Sequence, residues 1–256
     1  MIVTCIQLAM SDQPKEKNVN WALRRIEQAP PSDLILLPEI WPCGFFSFDR
    51  YHGDSESIDG PIVTEFKAAA RNRKCHIFMG SMVENDSGHL YNTSILINPA
   101  GKIAARYRKI HLFGYQSEES AILEPGEDVV VADTPWGKSG ISTCYDLRFP
   151  ELYRCMVDKG AAFFLVASAW PHVRLEAWRL FNRCRAHENL AFLISCNCAG
   201  GNQGKKYAGH SMIVDPLGLV VAEGTEQEDD VIAEIDPGQV AAIRQEFPAL
   251  HDRKLI

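Results

Sequence analysis

The chain has 256 residues, 46% of them apolar and 23% charged, with 18 glycines and 14 prolines. That is ordinary globular composition, long enough for a large core in roughly one or two domains, and it excludes disordered, collagenous and low-complexity proteins. With 26 basic against 33 acidic residues the net charge is −7, so neither nucleic acid nor an anionic membrane is an expected partner.

Residues 2–8 alternate apolar and polar side chains and predict a strand. Residues 15–28 carry Val19, Ala22, Leu23 and Ile26 at helical spacing. Residues 34–37 form a short apolar run that empties into Pro38-Glu39, the pattern of a buried strand ending in a loop. A helix over 61–72 and a strand over 76–83 follow. Residues 91–98 and 102–109 predict a hairpin across Pro99-Ala100-Gly101. Strands over 129–132 and 140–143 lead to Cys144. Pro150 suits the first turn of a helix over 150–159. A buried strand over 161–166, a helix over 174–189 and strands over 191–196, 210–214, 219–223 and 231–235 complete the chain. Hairpins mixed with helical crossovers predict layered α/β structure with mixed sheets, in which two sheets pack face to face with helices outside.

The eight cysteines are Cys5, Cys43, Cys75, Cys144, Cys155, Cys184, Cys196 and Cys198. The N-terminal residues show no signal-peptide pattern, and no segment reaches the ~18 apolar residues of a membrane span. The expectation is a cytoplasmic protein with reduced thiols. No Cys-x-x-Cys pair exists and Cys196-Asn197-Cys198 has the wrong spacing for a zinc knuckle, so neither metal nor cofactor is expected.

Three polar residues stand where apolar strands run out. Glu39, beside Trp41, would be partly desolvated, which raises a carboxyl pKa and suits a general base; the plainer alternative is a loop-edge glutamate. Lys109 belongs to Tyr-Arg-Lys-Ile-His-Leu-Phe, where alternation puts Tyr107 and Lys109 on one face and Arg106, Arg108 and Ile110 on the other. By itself such a cationic run is a solvated face. Cys144 sits at a strand-to-helix turn, where free backbone N–H groups favour a thiolate and an oxyanion. Its followers Asp146 and Arg148 are costly to bury without purpose. The competing arrangement is a Cys–His pair using His111, His187 or His210.

Together Leu-Pro-Glu39, Tyr-Arg-Lys109-Ile-His-Leu-Phe and Cys144-Tyr-Asp-Leu-Arg-Phe-Pro-Glu resemble the three blocks of the nitrilase superfamily, the carbon–nitrogen hydrolases with a Glu–Lys–Cys triad. Tyr91-Asn92-Thr93, Glu119-Ser120, Arg185-Ala186-His187-Glu188-Asn189 and Gly209-His210-Ser211 extend the resemblance from about residue 2 to 236. It implies one α-β-β-α sandwich domain over 1–256. It also implies Glu39 as base and acid, Cys144 as nucleophile, and Lys109 with the Tyr145 backbone N–H as oxyanion donors. Glu119 enters as a second glutamate beside the lysine, its neighbour Glu118 being the alternative register.

The Cys-Tyr-Asp-Leu-Arg-Phe-Pro-Glu block, Ser168-Ala169-Trp170-Pro171 and Cys196-Asn197-Cys198-Ala199-Gly200 resemble the bacterial ω-amidase branch. That implies a small-molecule amide substrate hydrolysed by water, such as 2-oxoglutaramate or succinamate. Arg148 and Arg174 are the candidates for its carboxylate. Against that, Arg148 could bridge Asp146 or Glu151, and Arg174 could simply start a helix. Phe45, Phe46 and Trp170 are candidate walls for the acyl chain. The alternatives are an amidase for deaminated glutathione, an N-carbamoyl-amine hydrolase, or a catalytically silent binding protein. A homodimer or larger homo-oligomer is expected by resemblance, with the tail at 240–256, including Arg244, Arg253 and Lys254, offered as the part that crosses to a partner.

Overall fold

Alternation along the central strands divides the interior into three apolar layers. Along Phe163–Ser168, the side chains of Phe163, Leu165 and Ala167 enter one layer and Phe164 and Val166 another. Along His76–Asp86, Phe78 points into that same first layer, while Ile77 and Met79 enter a third. Strands buried on both faces in this way require two stacked sheets with helices outside. The computed structural model, which describes residues 1–254, has that arrangement.

One sheet holds, in spatial order, Asp229–Glu234, Ile2–Gln7, Leu34–Leu36, His76–Asp86, His89–Ile97 and Ile103–Arg108. The other holds Val220–Glu223, Met212–Val214, Phe192–Asn197, Phe163–Ser168, Gly137–Thr143 and Val131–Thr134. Both are mixed: Leu34–Leu36 and Phe163–Ser168 each run parallel to both neighbours, and the outer pairs are antiparallel. Helices Lys15–Gln28 and Pro61–Arg73 bury Val19, Ala22, Ile26, Phe66 and Ala70 against the first sheet. Pro150–Asp158 and Leu175–Asn189 bury Leu152, Met156, Trp178 and Ala186 against the second. The sequence-predicted four-layer sandwich is the observed one.

Three short strands escape sequence periodicity because they are too brief to show any: Ala9–Met10, Ala199–Asn202 and Lys205–Lys206 form a small separate sheet. The tail, as far as it is described, packs on its own chain. Helix Gly238–Glu246 turns Arg244 back onto its own chain, where its guanidinium donates to the carbonyls of Ala161, Asn189 and Leu190. Arg253 pairs with Asp158 of the same chain. These two cations are therefore occupied, and the last two residues of the tail lie outside the described ones. Among the described residues no helix is long and apolar enough to cross a membrane.

The strands converge on one end of the sandwich, and a single glycine fixes part of that end. His76–Asp86 carries a bulge between Phe78 and Ser81, with Gly80 at φ +67°. A Cβ on Gly80 would lie 1.9 Å from the Pro38 carbonyl oxygen. Around it the Leu37 N–H donates to the Phe78 carbonyl (2.9 Å) and the Ser81 N–H to the Pro38 carbonyl (3.1 Å). Ser81 Oγ accepts from the Ile40 N–H at 3.0 Å. The bulge thus clamps the segment carrying Glu39 and holds the β-branched Ile40 at φ 41°, a conformation that needs such support. Gly80→Ala is expected to lower the unfolding free energy by at least about 1–3 kcal/mol, measured by urea titration. Unchanged stability would show that this contact is not rigid.

Candidate active site

Lys109 follows the strand Ile103–Arg108 and is fully buried, as are Glu39 and Glu119. Its Nζ lies 2.8 Å from Glu39 Oε1 and 2.9 Å from both carboxylate oxygens of Glu119. The run of cations that suggested a solvated face divides: Arg106 and Arg108 turn outward to Glu84, and Lys109 turns in. Burial alone would lower the Lys109 ammonium, but Glu119 and Glu39 outweigh it and hold it above its ordinary range. Burial pushes the Glu119 carboxyl up, with Lys109 opposing and Glu39 adding to the rise. Glu118, the alternative register, is exposed.

Further donors complete the cluster. Asn92 Nδ2 donates to Glu39 Oε1 and to Glu119 Oε1, each at 2.9 Å. The Ala169 N–H reaches Glu39 Oε2 at 2.9 Å, and the Phe113 N–H reaches Glu119 Oε2 at 2.7 Å. Asn92 also fixes Lys109 through its carbonyl, which accepts the Lys109 N–H at 2.8 Å. Sequence reasoning noted Tyr91-Asn92-Thr93 without giving Asn92 this place. Its partner Glu39 is 53 positions away.

Cys144 ends the strand Gly137–Thr143 at φ 47° and begins the short helix Cys144–Arg148. The turn is locked by Asp146, whose Oδ2 accepts the Thr143 N–H at 2.8 Å and the Tyr107 hydroxyl at 2.7 Å. Asp146 Oδ1 lies 2.7 Å from His111 Nδ1. The fully buried Asp146 therefore ties the Cys144 turn to the segment carrying Lys109. Tyr145 follows in the first turn, where backbone N–H groups lack partners within the helix. Burial pushes the Cys144 thiol above its ordinary value, Glu39 adds to the rise, and Lys109 opposes it. The turn was expected to favour a thiolate; burial and Glu39 act against that here.

None of the three candidate histidines pairs with the thiol. His111 binds Asp146 and stacks on Phe149 with ring centres 3.7 Å apart. His187 meets the Leu217 carbonyl, and His210 meets Glu223.

Beside Cys144 opens a cavity of about 130 Å³. Phe45, Trp170, Arg148 and Arg174 all line it, and Phe113 and Tyr115 join them. Arg148 does not bridge Asp146 or Glu151; its guanidinium lies 5.2 Å from the Trp170 ring centre and 5.1 Å from that of Phe181. Arg174 lies over Phe113 and Tyr115 at 5.3 and 5.7 Å. Neither guanidinium has a carboxylate partner among the described residues, and the lining contains Lys205 but no acid. Trp170 is pinned by its own bonds, its N–H to Asn197 Oδ1 at 2.7 Å and its Nε1–H to the Arg174 carbonyl at 2.8 Å.

Residues 2–245 match the carbon-nitrogen hydrolase family. A 2-oxoglutaramate amidase of Paenarthrobacter nicotinovorans is 35% identical over 231 residues, covering 87% of this chain and 79% of its own. A 2-oxoglutaramate amidase of Bacillus subtilis is 34% identical over 253 residues, covering 98% of this chain and 96% of its own. The crystal structure of Saccharomyces cerevisiae Nit3, a member of branch 10 of the nitrilase superfamily, is 33% identical and superposes with a TM-score of 0.90, covering 100% of this chain and 97% of that one.

Burial disfavours the charged form of a thiol, so Cys144 should stay protonated as pH rises through the ordinary value of 9.0. The ultraviolet thiolate absorbance of the wild type minus that of Cys144→Ala is expected to stay flat to that pH. A half-titration at or below it would contradict this environment.

Proposed function

The chain belongs to the carbon–nitrogen hydrolase family, and we propose that it hydrolyses the terminal amide of a short 2-oxo dicarboxylic acid monoamide, 2-oxoglutaramate or succinamate, to the acid and ammonia. The observation that carries the substrate reading is the pair of guanidinium groups without acidic partners, Arg148 and Arg174, in the lining of the cavity beside Cys144. In a chain of net charge −7, such a site suits an anion, and guanidinium binds carboxylate through two parallel hydrogen bonds. The size is consistent: a cavity of about 150 Å³ holds benzene, so about 130 Å³ with an open mouth suits a short acyl chain. A larger amide such as deaminated glutathione would extend past the exposed Tyr115 and Val173.

The chemistry begins with a neutral thiol. Glu39 takes the Cys144 proton as the sulfur attacks the amide carbon, and the developing oxyanion is held by the Lys109 ammonium and the Tyr145 N–H. The carbon–nitrogen bond breaks, ammonia leaves with the proton from Glu39, and a thioester remains on Cys144. Glu39 then takes a proton from water, whose oxygen attacks the thioester. The second tetrahedral intermediate collapses to the carboxylic acid, and the sulfur recovers its proton from Glu39. Glu119 keeps Lys109 charged and oriented, and Phe45 and Trp170 wall the acyl chain.

Arg148→Ala and Arg174→Ala should each raise KM for 2-oxoglutaramate about tenfold or more, as expected for a charge-assisted bond, and leave a neutral short amide nearly unchanged. Equal effects on both substrates would remove that arginine from carboxylate recognition. Lys109→Ala should lose ~10²–10³ in kcat. Faster turnover of deaminated glutathione or N-carbamoylputrescine than of 2-oxoglutaramate would overturn the substrate assignment.

A further inference from the structure

Ser168 ends the strand Phe163–Ser168, which runs parallel to Gly137–Thr143 with Ala167 opposite Thr143. One further step in that register sets Ser168 opposite Cys144. The Ser168 backbone is fixed on both sides, its carbonyl accepting the Glu39 N–H at 3.2 Å and the Cys198 N–H at 3.0 Å. The side chain is another matter. Ser168 is fully buried, and among the described residues its hydroxyl makes no well-formed hydrogen bond, although its side chain already acts on the Cys144 thiol. Buried hydroxyls are nearly always bonded, and desolvating one without a partner is unfavourable. A neighbour that becomes a strong acceptor only during the reaction resolves the anomaly.

We propose that the Ser168 hydroxyl is a further catalytic group of this site, donating a hydrogen bond to Cys144 Sγ when Glu39 has taken the sulfur's proton. The hydroxyl keeps its own proton; only the thiol proton moves, from Sγ to the Glu39 carboxylate. In the resting state the neutral sulfur is a weak acceptor, so the contact of the hydroxyl with it is weak. As negative charge forms on sulfur, an already desolvated donor needs little reorganisation to meet it. Consistent with this, Ser168 acts on the Cys144 thiol in the direction that favours its thiolate, as does the Ala169 backbone. The other ionisable groups acting on or around that sulfur are Glu39, Lys109, Cys198 and Tyr153, with Glu119 behind Lys109. Of these only Lys109 favours the thiolate, and it is shared between two carboxylates.

This inference rests on Cys144 being the nucleophile, and alkylation separates the two claims. Ser168→Ala and Ser168→Thr are compared with wild type for turnover and for the rate of iodoacetamide alkylation at Cys144, followed by mass spectrometry across pH. Loss of one hydrogen bond to a charged group corresponds to about tenfold. Ser168→Ala should therefore alkylate about tenfold more slowly, with its pH profile displaced upward, and lose a similar factor in kcat with KM little changed. Ser168→Thr should restore both. A folded Ser168→Ala protein with wild-type alkylation rate and pH profile would overturn the proposal, whatever its turnover. Should Ser168→Ala fail to fold, Ser168→Cys is read the same way, because it nearly keeps the size and weakens the donor. If instead Cys144→Ala retains turnover, the nucleophile assignment fails while the alkylation comparison still reports on Ser168.

Discussion

The end of the sandwich that holds the site is built around one ammonium group with no access to water. Lys109 Nζ is enclosed by Glu39 and Glu119 at 2.8 and 2.9 Å, and all three side chains are buried. Desolvating such charges costs several kcal/mol per ion, and their mutual attraction returns this only where geometry and further hydrogen bonds are good. The further bonds are present: Asn92 bridges the carboxylates, and the N–H groups of Phe113 and Ala169 each take a remaining oxygen. An apolar cluster of the same volume would stabilise a fold as well. The proposed reaction gives the arrangement a reason, since it holds the Glu39 carboxylate and the Lys109 ammonium at fixed positions in a dry site.

The rest of the site follows from that constraint. The sulfur shares its space with an excess of carboxylate, and burial and Glu39 push its thiol up, away from the thiolate. Moving its proton to Glu39 leaves the total charge of the cluster unchanged, which avoids placing a new net charge in a region of low dielectric. The geometry must then be held firmly, because three chain segments from two sheets supply it. Asp146 joins the Cys144 turn to the segment of Lys109, and the Gly80 bulge clamps the segment of Glu39. Strained backbone at Ile40 and Cys144 is where that rigidity is spent.

Much of this was legible in the sequence, for reasons that can be stated residue by residue. A continuous apolar run such as 161–166 reports a strand buried on both faces, and that pattern gives the layers. Glu39 and Cys144 stand out because a polar residue directly after such a run must face the end of the sheet. The Lys109 environment was only half legible: alternation separates Lys109 from Arg106 and Arg108, but that the arginines pair with Glu84 and Lys109 with Glu39 and Glu119 depends on partners distant in sequence. Asp146 was marked by its place after Cys144, but its ties to Tyr107 and His111 were not, and Asn92 likewise acts through partners far away in sequence. The upward push on the Cys144 thiol was not legible for a related reason: a helix start can be read from sequence, whereas desolvation from every side cannot.

The central claim is that Cys144 carries the acyl group between two half-reactions assisted by Glu39. Acid-quenching the wild-type protein during turnover of 2-oxoglutaramate, followed by mass spectrometry of the Cys144 peptide, tests it most directly. A mass increase equal to the substrate less ammonia on Cys144, absent from Cys144→Ala, is the predicted result. Full turnover with no such adduct on Cys144, or undiminished turnover in Cys144→Ala, would contradict the account.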